Sequence, residues 1–439
     1  MITMPPESVT NHDRLILGMR ELPHSHTPQE LRWGIPHTDR RNHLYIIGKT
    51  GTGKTTLLRN ILIQDIARGA GVGLLDPHGD LAEDILDHIP KHRTDDVVYF
   101  NPQDLDYPLA WNLVKTIPLD DRPLVAEALV DAFKSIFAES WGPRLQWILA
   151  NAIRACLDAD NTTLLDVYRM LVDEPCRRGI VAQVKDPIVA SFWQCEFEQW
   201  PQHVRFEAIA PVQNKLGRFL QNPAARNMLG QTSGKFDLGF MMDHERIFIA
   251  NLSKGVLGPD QANLLGSLLI AQIQAAALRR ATMPEHARKD FYLVIDEFQN
   301  FMTDSFASIL SEARKYRLNL TMANQYLDQL RPTLREAILG NVGSLISFRV
   351  GGPDAETLEA MFRPDMARVH FSNLHKYEVI ARMQHTGLPG NPFRGTTLPP
   401  IENPHKHKRS IIKTSRMRYC RPRAFVEERI TTLFPTPHT

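Results

Sequence analysis

The stretch Gly48-Lys-Thr-Gly-Thr-Gly-Lys-Thr55 decides how the chain is interpreted, because it fits the phosphate-binding pattern GxxxxGK[ST]. An apolar run at 43–47 precedes it and an amphipathic segment at 56–68 follows it, so the stretch joins a predicted strand to a predicted helix. Glycines let the backbone curl until several N–H groups converge on phosphate oxygens, and the helix N-terminus adds positive partial charge. The sequence therefore predicts a nucleoside triphosphate site.

The pattern also assigns roles to single residues. Lys54 is expected to reach the β- and γ-phosphates, and Thr55 to offer its hydroxyl to Mg²⁺. Further contacts to the nucleotide are expected from the rest of the loop and the first turn of the helix, namely Gly48, Thr50, Gly51, Thr52, Gly53 and Thr56.

A second motif, Leu293-Val-Ile-Asp-Glu-Phe-Gln-Asn300, predicts a strand that ends in two acids. Asp296 is expected to hold Mg²⁺, directly or through water, and Glu297 to orient or deprotonate the attacking water. A second acid directly after the metal acid favours hydrolysis over nucleotide storage. The alternative is an acid pair that caps a helix or forms salt bridges.

A third constellation follows between residues 304 and 325. Arg314 lies toward one edge of the apolar stripe of a predicted helix, from which it can point to a neighbouring subunit. Gln325 lies just past a predicted strand at 318–323, where it can contact the γ-phosphate or the attacking water. A solvated helix-end cation and a turn residue are the alternatives. The apolar stripe of the helix is formed by Phe306, Ile309, Leu310 and Ala313.

Two other nucleotide-binding classes are disfavoured. Asn214-Lys-Leu-Gly217 lacks the acid of the guanine-specific N/TKxD motif, and Leu252-Ser-Lys-Gly255 has a lysine where the signature of ABC transporters needs glycine. The predicted cofactors are therefore ATP and Mg²⁺.

Composition sets further limits. The 439 residues are 43% hydrophobic and 23% charged, as in soluble globular proteins. The net charge is only +2, so any contact with nucleic acid must be local.

The four cysteines form no CxxC pair, which argues against a disulfide framework or a structural zinc site. The most apolar run, 264–278, is too short and too polar for a bilayer span. A cytoplasmic protein is expected.

The predicted fold class is α/β, a RecA-like P-loop NTPase with a mostly parallel central sheet and an inserted all-α domain. Apolar runs alternate with helical patterns, which indicates a parallel sheet covered on both faces, but only helical patterns occur from 119 to 240. The predicted parts are an N-terminal arm (1–40), the first part of the motor domain (41–118), the all-α insertion (119–240), the second part of the motor domain (241–400) and a basic tail (401–439).

Together these motifs resemble the HerA/FtsK superfamily of ring-forming motor ATPases, and within it the type IV secretion and conjugative coupling proteins of the TraD/TraG type. Besides the two nucleotide motifs, the resemblance rests on Leu75-Asp-Pro-His-Gly-Asp80, Ser140-Trp-Gly-Pro-Arg144, Ala208–Lys215, Asn251-Leu-Ser-Lys-Gly255, Ser311-Glu-Ala-Arg-Lys-Tyr316, Ala323-Asn-Gln325 and Ile346-Ser-Phe-Arg-Val-Gly351.

The resemblance implies a hexamer that pumps DNA through a central channel, with an all-α domain that meets relaxosome or secretion components. It implies that Arg314 reaches the nucleotide of the neighbouring subunit, while Lys54, Glu297 and Gln325 act on the chain's own nucleotide. Coupling proteins typically carry N-terminal transmembrane helices, which are not found here, so association with the inner face of the membrane is expected only through a partner.

Alternatives from other classes stay open. A secretion or pilus-assembly ATPase would act on protein clients, and a scaffold switched by nucleotide would not hydrolyse it. A HerA-like DNA-processing helicase is disfavoured, because only 47 residues precede Gly48, too few for the β-barrel of that group. The basic tail is interpreted either as a contact to the phosphate backbone or as a solvated end.

Overall fold

The computed structural model describes residues 13–21, 30–115, 117–303, 306–402 and 404–434. Parts of the predicted arm and tail, and Asp304 of the third constellation, lie outside the described residues. The chain divides into two compact units. Unit 1 comprises Met1–Tyr99, Gly239–Asn251 and Arg280–Ile412, and unit 2 comprises Phe100–Leu238, Leu252–Arg279 and Lys413–Thr439.

The strands cover short, mostly apolar runs. In chain order they are β1 (Arg14–Glu21), β2 (Glu30–Pro36), β3 (Leu44–Ile47), β4 (Gly71–Asp76), β5 (Val97–Phe100), β6 (Ile247–Asn251), β7 (Phe291–Ile295), β8 (Leu318–Asn324), β9 (Ser344–Ser347), β10 (Glu378–Arg382), β11 (Gln384–His385), β12 (Leu388–Pro389) and β13 (Phe393–Thr397).

The α-helices are more numerous. They are α1 (Lys54–Ala67), α2 (Asp80–Asp87), α3 (Arg122–Ile136), α4 (Pro143–Asp158), α5 (Leu164–Val172), α6 (Glu174–Val181), α7 (Pro187–Ser191), α8 (Gln202–Leu220), α9 (Pro223–Leu229), α10 (Leu238–Asp243), α11 (Lys254–Leu257), α12 (Pro259–Arg279), α13 (Phe306–Glu312), α14 (Pro332–Asn341), α15 (Gly352–Phe362), α16 (Arg368–Ser372), α17 (Lys408–Tyr419) and α18 (Arg423–Leu433).

One eleven-stranded sheet has the order β2-β1-β13-β10-β9-β3-β8-β7-β4-β6-β5. Neighbours from β9 to β6 run parallel, whereas β10, β13, β1 and β2 add antiparallel strands on one side. Every residue of β3, β7 and β8 is buried, as expected for strands covered on both faces. The mixed sheet with a parallel centre confirms the predicted fold class.

The N-terminal segment contributes more to the sheet than the sequence indicated. Within the predicted arm, β1 and β2 pair with each other, and β1 also pairs with β13 near the other end of unit 1. Leu15, Ile16 and Leu17 of β1 are all buried. The place of β1 in the sheet was not predicted, because its pairing with β13 joins segments far apart in the chain and a local sequence pattern does not record such a contact.

Unit 2 is helical, but its bounds differ from the predicted insertion at 119–240. It also takes up 252–279, because the largely buried helix α12 packs along α3 and completes its core. The helix α18 likewise packs on α9 and brings the C-terminal segment into the unit. Among the described residues one helix, 259–282, is long and apolar enough to cross a membrane, and 78% of its apolar window is buried within the protein.

A buried ion pair fixes the helix that follows the phosphate loop. Two nitrogens of Arg40 donate to the two carboxylate oxygens of Asp65 in α1 at 2.6 and 2.7 Å, and both side chains are almost fully buried. Burial pushes the pKa of Asp65 upward, but the charge and hydrogen bonds of Arg40 outweigh it and hold that pKa below its ordinary value. The pair therefore ties α1 to the segment that leads into β3.

We expect Asp65→Asn to lower the free energy of unfolding by about 3–5 kcal/mol, because Arg40 would be left buried without its counter-charge. Urea unfolding followed by circular dichroism at neutral pH measures the change. The matched control is Asp260→Asn, since Asp260 pairs with Arg218 but both side chains are exposed, and its loss should cost at most about 1 kcal/mol. Equal effects of the two variants would contradict the assigned role.

Candidate functional site

The phosphate loop is pinned to the strands on both sides of β3. The N–H of Gly48 donates to the carbonyl of Asn324 at the end of β8 (3.3 Å), and the N–H of Lys49 donates to the carbonyl of Arg349 beyond β9 (2.9 Å). The loop therefore starts from a fixed position at the carboxyl edge of the parallel strands, where ligands bind in sheets of this kind.

Glycines are required in the second half of the loop. Gly51 and Gly53 have φ of +78° and +121°, which side-chain-bearing residues rarely adopt. A Cβ atom on Gly53 would also come within 2.7 Å of the Tyr377 ring. The N–H of Tyr377 donates to the carbonyl of Thr52 at 2.8 Å, so Tyr377 holds the loop from outside. No pattern in the sequence had indicated Tyr377.

Lys54 turns back into the loop that precedes it. It is the first residue of α1 and is buried, and its ammonium donates to the carbonyls of Gly48 and, at 3.2 Å, Lys49. Burial lowers the pKa of Lys54, whereas the nearby charges of Glu297 and Asp296 act in the opposite direction. The predicted metal ligand Thr55 follows it and is exposed.

The two acids lie directly after β7 and are both buried. The N–H of Glu297 donates to Oδ1 of Asp296 at 3.0 Å. Burial raises the pKa of Asp296 to about 6, with further upward contributions from Glu297 and Asp76, and Lys54 opposes the rise. Two neighbouring buried carboxylates facing one ammonium leave an excess of negative charge, which a bound cation would offset.

Two amides hold the carboxylate of Glu297. Gln325, directly after β8, donates from Nε2 to Oε1 of Glu297 at 2.9 Å, and Gln299 donates to Oε2 at 2.8 Å. Glu297 itself has φ of +43°, a left-handed conformation that costs a non-glycine residue energy and that clusters at functional sites. Gln325 thus lies beside Glu297, and its contact to the γ-phosphate or the attacking water stays a prediction. Gln299 belongs to the same motif, but no spacing rule singles it out.

Arg314 lies elsewhere. It is exposed in a 3₁₀ turn, Ala313–Tyr316, just before β8, and its Nη1 donates to Oδ1 of Asn42, just before β3, at 2.8 Å. Both positions precede the amino ends of their strands, whereas the phosphate loop follows the carboxyl end of β3. The structure therefore brings together Lys54, Asp296, Glu297 and Gln325, and it does not bring Arg314 to the loop of its own chain.

The residues of the site fit Mg²⁺ bound together with a nucleotide. Within the described ranges, no group of three or more His, Cys, Asp and Glu side chains could hold a metal ion alone. Mg²⁺ commonly binds through one or two carboxylates together with phosphate oxygens and water, and needs no such cage. The carboxylate of Asp296 and the hydroxyl of Thr55 supply donors of that kind, and the glycine loop leaves its backbone open to phosphate.

The raised pKa of Asp296 makes a pH-dependent prediction for the protein free of nucleotide and metal. Since its pKa in the folded state is about 6 against an ordinary 3.8, the ionised form destabilises the fold above that window. We expect Asp296→Asn to raise the free energy of unfolding by up to about 3 kcal/mol at pH 8. The gain should shrink as the pH falls from about 6 to about 4.

Urea unfolding of both proteins in EDTA between pH 4 and pH 8 measures this difference. The variant Asp260→Asn is the control for the loss of an exposed carboxylate. A constant difference between Asp296→Asn and the wild type across the whole range would contradict the assigned environment of Asp296.

Two family models match the chain, and a comparison with curated proteins gave no match. The model described as "Type IV secretion-system coupling protein DNA-binding domain" matches residues 33–227, and the one described as "TraM recognition site of TraD and TraG" matches residues 290–361. The first match contains the phosphate loop, and the second contains both acids, Arg314 and Gln325.

Solved structures share the fold. The plasmid coupling protein TrwB, in complex with ADP and Mg²⁺, has a TM-score of 0.62 at 17% identity, with 88% of this chain and 92% of that chain covered. Its complex with the non-hydrolysable ATP analogue ADPNP gives 0.63 at 17% identity over 84% and 87%.

VirB4 of Thermoanaerobacter pseudethanolicus gives a TM-score of 0.55 at 14% identity, with 91% of this chain and 99% of that chain covered. Identities this low establish the RecA-like fold alone, so the family assignment depends on the two models. They match separate parts of the chain, both belong to coupling proteins, and between them they contain the phosphate loop, the two acids and Gln325. The chain belongs to the type IV secretion-system coupling proteins of the TraD/TraG type.

Proposed function

We propose that this protein is an Mg²⁺-dependent ATPase that moves DNA in conjugative or type IV secretion-type transfer. The observation that carries the proposal is the meeting of Lys54, Asp296, Glu297 and Gln325 at the carboxyl edge of the sheet in a coupling protein. The solved complexes of TrwB, a protein of the same fold, contain ADPNP in one case and ADP with Mg²⁺ in another, which supports ATP and Mg²⁺ as the cofactors here.

Each side chain has a distinct part in the proposed reaction. Lys54 and the loop N–H groups, from Gly48 to Thr56, bind the phosphates, while Thr55 and Asp296 hold the metal ion. Mg²⁺, when bound, neutralises charge that develops on the phosphate oxygens. Glu297 orients the attacking water and accepts its proton. To reach the water, Oε1 of Glu297 must give up its hydrogen bond from Gln325. Gln325 can then contact the γ-phosphate.

Arg314 acts in the neighbouring subunit in this proposal. Its place at the amino edge of the sheet keeps it away from the phosphate loop of its own chain, and its exposed guanidinium can reach a neighbour's nucleotide in a head-to-tail ring. An arginine supplied by a neighbour stabilises transition-state charge. Hydrolysis would then depend on assembly, for which we propose a homo-hexamer on the basis of the family resemblance.

The partners follow from the family. The second matching model is described as the TraM recognition site of TraD and TraG, which supports a relaxosome or secretion component as a protein partner. We also propose that the protein lies in the cytoplasm and is held at the inner face of the membrane by such a partner.

We expect ATP turnover of the wild type to rise on addition of single- or double-stranded DNA, and the stimulation to fade at high salt, because phosphate contacts weaken as salt rises. Glu297→Gln should bind nucleotide but turn over about 10²–10⁴-fold more slowly. Phosphate release at two salt concentrations and equilibrium nucleotide binding are the measurements. Turnover unchanged by DNA would overturn the DNA motor in favour of an ATPase that acts on protein clients, and no turnover at all would indicate a nucleotide-switched scaffold.

Mixing two inactive variants tests the role of Arg314. Arg314→Ala and Lys54→Ala should each be inactive, yet an equal mixture should regain up to about a quarter of wild-type turnover, since one interface in four pairs an intact Lys54 with a neighbour's intact Arg314. The matched control, Lys315→Ala, removes an adjacent exposed cation and should keep full activity. If mixed rings assemble but stay inactive, Arg314 does not act between subunits.

A further inference from the structure

The C-terminal helix α17 belongs to a strongly basic segment. Between residues 404 and 426 there is no Asp or Glu, and the net charge of the whole chain is only +2, so this concentration of one sign is local. The cations of the segment are Lys406, Lys408, Arg409, Lys413, Arg416, Arg418, Arg421 and Arg423.

Some of these cations are already paired within the protein. Lys408 forms an ion pair with Glu83, Arg416 with Asp104 and Arg423 with Glu427. Four others are exposed and form no ion pair with the described residues of the protein, and we call them the basic face: Lys406, Arg409, Lys413 and Arg421.

Packing of α17 orients the two members of the basic face that lie on this helix, Arg409 and Lys413. Ile411 and Ser415, one turn apart, are buried, whereas Arg409 and Lys413 are exposed on the opposite side of the helix. Arg409 and Lys413 are four residues apart and therefore lie about 6 Å from each other along the axis.

We propose that the basic face binds the phosphate backbone of DNA, outside the nucleotide site and independently of base sequence. The proposal rests on the proposed function as a DNA motor and adds a place of contact to it. Exposed cations without an ion pair to the described residues gain most from phosphate, because they release the counterions of the DNA and break no internal ion pair. A membrane surface fits less well, since a helix in a lipid interface needs an exposed apolar face, and on α17 the exposed side offers only Met417.

The test is the salt dependence of DNA affinity. In the triple variant Arg409→Gln, Lys413→Gln, Arg421→Gln, three phosphate contacts are lost. The slope of log affinity against log salt for double-stranded DNA should then become shallower by about 2–3, and affinity at about 50 mM salt should fall at least about tenfold. The matched control changes Lys91, Lys185 and Lys235 to Gln; these lysines are also exposed and also form no ion pair with the described residues. Fluorescence anisotropy with labelled DNA measures both, and DNA-independent ATP turnover should be unchanged in both.

The outcomes separate this inference from the proposed function. If the wild type binds no DNA, the proposed function as a DNA motor is wrong, and so is the inference about the basic face. If the wild type binds but both triple variants lose affinity equally, net charge alone explains the loss and the basic face is overturned. If the first triple variant keeps its DNA affinity but no longer sediments with vesicles of phosphatidylcholine and phosphatidylserine, the face serves a membrane surface and the inference is wrong.

Discussion

The nucleotide site depends on one constraint, the hydrogen bonding of strand β3 to parallel neighbours on both of its edges. Parallel strands end at the same edge of a sheet, so the segments that follow β3, β7, β8 and β9 are brought to one place. The phosphate loop is bonded to the ends of β8 and β9 through Gly48 and Lys49. The positions of Lys54, Asp296, Glu297 and Gln325 follow from this order of strands, because each lies within two residues of a strand end or of the loop.

The charges at that edge are arranged for a ligand and not for the stability of the fold. Asp296 and Glu297 are buried side by side, and burial raises the pKa of Asp296 to about 6 although the ammonium of Lys54 lies nearby. Stability is supplied away from the site, where Arg40 and Asp65 form a satisfied buried pair that fixes α1. A protein can keep an unfavourable charge cluster at a functional site when ion pairs and apolar packing elsewhere offset its cost.

The arginines of the chain also differ in whether the fold supplies them with a counter-charge. Arg40 has its counter-charge inside the protein, so its role is structural. Arg314 is exposed and donates to a neutral amide, that of Asn42, and the cations of the basic face form no ion pair with the described residues. In the functions proposed above such cations bind phosphate, that of a neighbour's nucleotide for Arg314 and that of DNA for the basic face.

Sequence alone determined the phosphate loop, the two acids, Arg314 and Gln325 as candidates, and the α/β class, because each depends on local spacing and on apolar runs that a single segment carries. It did not determine that β1 and β2 complete the sheet, that α12 belongs to the helical unit, or that Gln299 and Tyr377 contact the site. Most of these features come from contacts between segments far apart in the chain, such as β1 with β13, whereas Gln299 contacts Glu297 of its own motif. Local pattern fixes which residues can form a strand or bind phosphate, whereas only packing decides which strands become neighbours and which side chains they bring together.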